Sequence, residues 1–131
     1  TRFIVMEEKY ERWDPIRDLT NNPFFYEMYF KKGTLIVLLK QSDLADRCLK
    51  IEFSNPLAYR IVNESGRMKT LDNPFIYTFC KTDASKFLQW FNEESYGMFD
   101  NLAKDHYMVC NSDNIIDVIT NQEPKVLWIN L

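Results

Sequence analysis

Apolar residues recur at the period of a β-strand over several short segments of this chain. The segments 24–30 and 34–40 flank a Lys-Lys-Gly turn, so they predict an antiparallel hairpin. Leu49, Ile51 and Phe53 alternate with charged residues, which predicts a strand with one buried face. Further strands are predicted at 58–62, 75–80, 107–110 and 126–131, and 2–6 is either a strand or the start of a short helix.

A helical period replaces this pattern in two places in the last third of the chain. A first helix is predicted after an N-cap at Thr82 or Asp83, and a second after Ser112 or Asp113. Their apolar stripes are Ala84, Phe87, Leu88 and Phe91, and then Ile115, Ile116 and Ile119. Early strands and late helices predict an α+β fold: a mostly antiparallel sheet with two or three helices packed on one face, forming a single domain over 1–131.

The composition predicts an aromatic-rich core and a reducing compartment. Hydrophobic residues make up 46% of the 131 residues, and they include 10 Phe, 7 Tyr and 3 Trp. Cys48, Cys80 and Cys110 form an odd set with no CxxC spacing, which argues against a disulfide framework. There is no signal peptide at Thr1 and no apolar run of the ~20 residues that a membrane span needs. We therefore expect a cytoplasmic protein without a membrane partner.

Charge is distributed unevenly around a net value of −3. Residues 1–81 carry 13 Lys and Arg against 11 Asp and Glu, whereas residues 82–131 carry 3 against 8. Phosphate binding needs clustered cations, so the acidic C-terminal part argues against nucleic acid as a direct partner. It would suit a basic protein partner, although an acidic surface that only maintains solubility gives the same pattern.

No sequence signature of catalysis or metal binding is present. His106 is the only histidine, and no HExxH motif, paired Cys/His spacing or calcium-loop motif accompanies it. Ser65, Ser85 and Ser95 stand in no GxSxG or SxxK context. We therefore predict no catalytic residue, no metal ligand and no cofactor, and interpret the chain as a non-enzyme.

Two sets of residues are candidates for binding. The first is an acidic set with an aromatic member, suited to a basic partner: Glu93, Glu94, Tyr96, Asp100, Asp105, Asp113 and Asp117. Within it, a helix cap at Asp113 and a solvated helix face at Asp117 are simpler explanations. The second set would line a pocket or form a structural polar network: Tyr59, Arg60, Glu64 and His106.

Three longer strings carry a resemblance to a known group of proteins. They are IEFSNPLAYRIVNES, FLQWFNEESYG and HYMVCNSDNIIDVITNQEPKV, which together span most of the last two-thirds of the chain. In these strings the chain resembles small bacterial immunity-type proteins that accompany polymorphic toxins. The positions that carry the resemblance are Tyr59, Arg60, Glu64, Trp90, Phe91, Glu94, Ser95, His106, Tyr107, Asp117, Glu123 and Pro124.

The resemblance implies a protein that binds and neutralises a cognate toxin. A toxin that is a nuclease would present a basic substrate groove, which the acidic 93–117 region would match. Two alternatives remain: a small-ligand-binding domain or unrecognised enzyme with the pocket above, and a structural subunit that pairs through an edge strand at 126–131. The sequence does not decide the oligomeric state.

Overall fold

The structure is a computed structural model, and it describes residues 8–16, 19, 22–41 and 46–131. The strands in this part of the chain are β1 (Glu11–Arg12), β2 (Phe24–Lys31), β3 (Thr34–Lys40), β4 (Arg47–Ser54), β5 (Ala58–Asn63), β6 (Phe79–Thr82), β7 (Asp105–Cys110), β8 (Asn114–Thr120) and β9 (Lys125–Asn130). The helices are α1 (Met68–Leu71) and α2 (Lys86–Glu94), and a 3-10 turn covers Glu64–Gly66.

The strands form two antiparallel sheets. One sheet has the order β1-β6-β7-β8-β5 and the other has the order β2-β3-β4-β9. Cross-strand partners share a face, so the inner faces of the two sheets can be identified from the pairing registers. The inner face of the first sheet contains Val118 and Ile116, and that of the second contains Val37 and Ile51. These residues meet in one core that excludes solvent almost completely.

The predicted fold class is wrong. The expectation was one sheet with two or three helices on a single face, but the described residues form two stacked sheets with only two short helices. The hydrophobic residues of β3 and β4 pack against the other sheet and not against helices. The protein is a small, mostly antiparallel β-rich structure in which α2 lies on the outer face of the five-stranded sheet.

The second predicted helix is strand β8. Its Ile115, Ile116 and Ile119 match a helical stripe, but all seven residues of β8 are buried because the strand is central and covered on both faces. Isoleucine and valine favour strands, where the branched side chain fits the pleat. The expected cap residue Asp113 instead accepts a hydrogen bond at its carboxylate from the Phe25 N–H, at 3.1 Å.

The first predicted helix is present but begins later than expected. Ser85 is its N-cap, since the hydroxyl accepts the Leu88 N–H at 3.1 Å. The expected cap Thr82 ends β6, where its hydroxyl accepts the Ala84 N–H in a local turn. The stripe residues Phe87, Leu88 and Phe91 do pack inward.

The remaining strand predictions differ in accuracy. The hairpin of β2 and β3, the alternating strand β4, and strands β5, β7 and β9 are confirmed, with ends that differ by up to two residues. Only the last two residues of the strand expected at 75–80 are in a strand, at the start of β6. A turn precedes β6, in which the Asn73 side chain accepts the Phe75 N–H. The prediction for 2–6 lies outside the described residues.

Replacing Ile116 by alanine tests the central position of β8. Its side chain is fully buried in the core between the sheets, so Ile116→Ala should lower the free energy of unfolding by about 2–5 kcal/mol. The matched control is Ile61→Ala, since Ile61 is the cross-strand partner on β5 and is 41% exposed. Urea denaturation of both variants measures the difference, and equal losses would contradict the central placement of β8.

Candidate functional site

The candidate site is built on the outer face of the five-stranded sheet. Arg60, Asp117, Met108 and Cys80 are successive cross-strand partners and form one row across β5, β8, β7 and β6. On one side of this row, Phe87 and Leu88 of α2 cover Ile119. On the other side, Tyr10 and Ile76 cover Met108 and Ile115. Arg60 and Asp117 therefore lie in a gap between the two covered regions, whereas Met108 and Cys80 belong to the second of them.

This gap is a cleft of about 990 Å³. Four parts of the chain line it: β5, the 67–73 segment, α2, and the irregular segment that contains Glu8 and Tyr10. The lining residues are Glu8, Tyr10, Ala58, Tyr59, Arg60, Arg67, Lys69, Thr70, Asp72, Asn73, Lys86, Phe87 and Trp90. Glu8 closes one side, because its carboxylate accepts the Lys86 N–H and its carbonyl accepts the Asn73 side-chain amide. A cleft of this size suits a ligand larger than an inorganic ion.

The buried carboxylate of Asp117 organises the floor of the cleft. His106 Nε2 lies 2.7 Å from Oδ1, Arg67 Nη1 lies 2.5 Å from Oδ2, and Arg60 Nε lies 2.8 Å from Oδ2. Arg67 Nη2 makes a longer contact of 3.5 Å with Oδ1. Asp117 has no solvent exposure, so these donors replace the water that the carboxylate would otherwise bind.

Asp117 is held in its ionised form. Burial by itself raises the pKa of a carboxyl group, but the hydrogen bonds and charges of His106 and Arg67 outweigh that effect and place the pKa well below its usual value. The carboxylate can then only accept hydrogen bonds, so His106 Nε2 carries a proton and donates it. This fixes the orientation of the imidazole ring.

Ser85, His106 and Asp117 form a hydrogen-bonded row that no sequence motif indicated. Ser85 Oγ lies 2.8 Å from His106 Nδ1, while His106 Nε2 contacts Asp117. The residue types match those of serine hydrolases, but Ser85 Oγ also caps α2 and does not line the cleft. The imidazole is buried between the rings of Tyr10 and Phe87. The row therefore fastens α2 to the sheet and positions Phe87.

Arg60 is the cation that the floor presents to the cleft. Only its Nε contacts Asp117, and the guanidinium stacks on the Phe87 ring at 4.3 Å from the centroid. Its side chain is 42% exposed, whereas that of Arg67 is 11% exposed. The two terminal nitrogens of Arg60 have no acceptor in the described part of the chain. They are therefore available to a carboxylate or phosphate, which the planar guanidinium binds through paired hydrogen bonds.

The cleft carries a positive excess in a protein whose net charge is negative. Its lining contains four cations, Arg60, Arg67, Lys69 and Lys86, against the two carboxylates of Glu8 and Asp72. With Asp117 added beneath the floor, one positive charge remains uncompensated. Aromatic surface adjoins these cations, because Trp90 is 50% exposed and stacks on Phe87 with nearly parallel rings. The arrangement can bind an anionic group next to a flat or apolar one.

The structure brings together part of the predicted pocket set. Tyr59 and Arg60 line the cleft, and His106 lies buried beneath it in contact with Asp117. Glu64 is exposed in the 3-10 turn after β5 and does not line the cleft. The 3-10 turn therefore places Glu64 outside the lining of the cleft.

The predicted acidic set is divided between separate places. Glu93, Glu94, Tyr96 and Asp100 are exposed at the end of α2 and in the turns that follow, and Asp105 is half-buried at the start of β7. Asp113 lies beyond the opposite end of β7, about 17 Å along that strand. Asp117 is buried and faces the cleft floor, so its carboxylate cannot contact a partner directly.

Several residues of the cleft were not found from the sequence. Arg67, Lys69 and Lys86 are isolated cations in the sequence, and Trp90 was named among the positions that carry the resemblance but not as a pocket residue. Arg67 follows Gly66, and its guanidinium reaches a carboxylate fifty positions later in the chain. No local spacing indicates such a contact. The only available signal was that Asp117 stands within an otherwise apolar run, which marks a buried charge in need of partners.

Three further observations concern the cysteines, metal binding and the membrane. Cys48, Cys80 and Cys110 are free thiols, and burial raises the pKa of Cys80 to about 11 and that of Cys110 to about 12. In the described part of the chain, no three His, Cys, Asp or Glu side chains are placed to hold a metal ion. No helix in that part is long and apolar enough to cross a membrane.

Comparisons with protein-family models, with curated proteins and with solved structures find no match to this chain.

Removing the charge of Asp117 should destabilise the fold. Asp117→Asn leaves Arg67 and Arg60 without their shared carboxylate, so we expect a loss of about 3–5 kcal/mol in the free energy of unfolding at pH 7. Because the pKa of Asp117 is lowered on folding, this contribution is complete above its unfolded value of 3.8 and declines as the pH falls below it.

Urea denaturation between pH 3 and pH 7 measures that dependence. The control is Asp105→Asn, since Asp105 is half-buried at the start of the neighbouring strand β7. A difference between the Asp117→Asn variant and the unmodified protein that grows with acidification would contradict the role assigned to this carboxylate.

Proposed function

We propose that this chain is a binding protein whose cleft holds a carboxylate or phosphate group of its ligand. The observation that carries the proposal is the state of Arg60, which contacts Asp117 through Nε alone and stacks on Phe87. Its terminal nitrogens are already oriented before a ligand arrives, which reduces the entropic cost of binding.

The surroundings of Arg60 support an anionic ligand in particular. Arg67 and His106 already contact both oxygens of Asp117, so the terminal nitrogens of Arg60 are not needed by the buried carboxylate and stay available to a ligand. Lys69 and Lys86 line the same cleft and have no ion-pair partner within the described residues. Trp90 offers aromatic surface for the remainder of the ligand.

Phenyl phosphate is a suitable first probe, because it combines a phosphate group with a flat ring. We expect it to change the fluorescence of Trp90 as it binds, at ionic strength held constant with sodium chloride. Arg60→Gln should weaken binding at least about tenfold, since it removes hydrogen bonds from a charged donor. Trp90→Phe should abolish most of the signal while calorimetry still detects binding.

Arg47→Gln is the matched control for this experiment. Arg47 lies on the other sheet and stacks on Trp128 at the same distance of 4.3 Å that separates Arg60 from Phe87. The two substitutions remove the same charge and a similar stacking contact. If Arg47→Gln weakened binding as much as Arg60→Gln, the effect would come from overall charge and the cleft proposal would fail.

Neutralisation of a cognate toxin is a second candidate function, favoured by the surface after α2. Tyr96 is 98% exposed, and Glu93, Glu94 and Asp100 surround it in sequence with their carboxylates exposed. An exposed aromatic ring among acidic groups is suited to a basic protein surface. In this role the chain would act as an immunity protein in the cytoplasm, without catalysis, and three free thiols are compatible with that compartment.

Charge reversal tests this second function. The triple substitution Glu93→Lys, Glu94→Lys and Asp100→Lys should abolish capture of a cognate toxin with a basic surface, because three attractive charges become repulsive. The control reverses three exposed acids elsewhere and alters the net charge equally: Glu11→Lys, Asp14→Lys and Glu123→Lys. Full capture by the first triple variant, measured by pull-down over a salt series, would exclude this surface.

A further inference from the structure

We infer that the cleft ligand is an extended acidic peptide of a partner protein, which adds to strand β5 as a further strand. This inference rests on the proposed anion-binding function and specifies the partner. It depends on three observations: the edge position of β5, the direction of its main-chain groups, and the different character of its two faces.

Strand β5 is the last strand of the five-stranded sheet. Within the described residues it pairs only with β8, so one side of its main chain has no neighbouring strand. The Glu64 N–H donates to the Asp113 carbonyl at 3.1 Å, just before β8. This bond identifies which alternate residues direct their main-chain groups toward β8, namely those an even number of positions from Glu64. In an antiparallel pair every second residue bonds to the same neighbour, so Tyr59 and Ile61 direct their N–H and C=O groups away from β8.

The two faces of β5 require different side chains from an added strand. Arg60 points to the cleft face, where Arg67 and Lys69 add positive charge. Tyr59 and Ile61 point to the opposite face, where the ring of Phe30 stacks on Tyr59 at 6.0 Å. Side chains of an added strand lie about 5 Å from those of β5 on the same face. A matching peptide therefore alternates acidic residues over the cleft with apolar residues beside Tyr59 and Ile61.

Main-chain pairing and charge would then act together. The hydrogen bonds to Tyr59 and Ile61 supply affinity that does not depend on sequence, and alternate side chains supply selectivity. The carboxylate opposite Arg60 enters the position at which the terminal nitrogens of Arg60 have no acceptor among the described residues. Edge strands pair readily with added strands, and here the surrounding cations restrict the pairing to acidic ones.

The test uses three synthetic peptides of equal length. The first is Ac-Val-Glu-Val-Glu-Val-Glu-Val-NH2, the second replaces each Glu by Lys, and the third keeps the acids but carries N-methyl groups on alternate main-chain amides. We expect the acidic peptide to bind at least about tenfold more tightly than either of the others. It should also slow hydrogen exchange at the Tyr59 and Ile61 amides, and Arg60→Gln should reduce its affinity while Arg47→Gln does not.

Each other outcome overturns a specific part of the argument. Equal binding of the acidic and N-methylated peptides would exclude strand addition, although phenyl phosphate binding would still support the anion-binding cleft. Failure of both the acidic peptide and phenyl phosphate to bind would overturn the two proposals together. Displacement of the acidic peptide by an oligothymidylate of equal charge at lower concentration would identify the ligand as a nucleic acid and overturn the peptide assignment.

Discussion

The ionised carboxylate of Asp117 is the interaction on which the outer face of the five-stranded sheet depends. It lies on the central strand β8 with no exposure to water, and its donors come from β5, β7 and the segment after Gly66. A buried charge is tolerated only when its hydrogen bonds are complete. Asp117 therefore determines where Arg67 and His106 lie, and His106 in turn contacts the N-cap residue of α2. Both walls of the cleft are positioned by one side chain.

The period of a strand can be read from the sequence most directly where one face of the strand is polar. Strand β4 shows this, because its charged Lys50 and Glu52 alternate with buried residues and reveal the period of two. Strand β8 gives no such signal, since both of its faces are covered and its apolar residues Ile115, Ile116, Val118 and Ile119 are interrupted only by the buried Asp117. A continuous apolar run fits a buried strand and a buried helix equally well. Misassigning β8 removed the central strand from one sheet and changed the predicted fold class.

The site was predictable to the extent that its residues adjoin one another in the sequence. Tyr59 and Arg60 were identified because they stand together at the end of an apolar segment, and His106 because it is the only histidine. Arg67 was missed because its contact with Asp117 joins positions fifty residues apart, which local sequence does not specify. Glu64 was included because it is close to Arg60 in sequence, yet it is exposed in the 3-10 turn and does not line the cleft. Proximity along the chain identified part of the site.

Helix α2 separates two surfaces of opposite charge. Lys86 and Phe87 at its first turn line the basic cleft, while Glu93 and Glu94 at its last turn begin the acidic surface, about 10–12 Å from Lys86 along the axis. Charges that far apart at physiological ionic strength are largely screened from each other when exposed to solvent. The two proposed partners, an acidic peptide in the cleft and a basic protein surface at the end of α2, would therefore bind nearly independently and without direct competition.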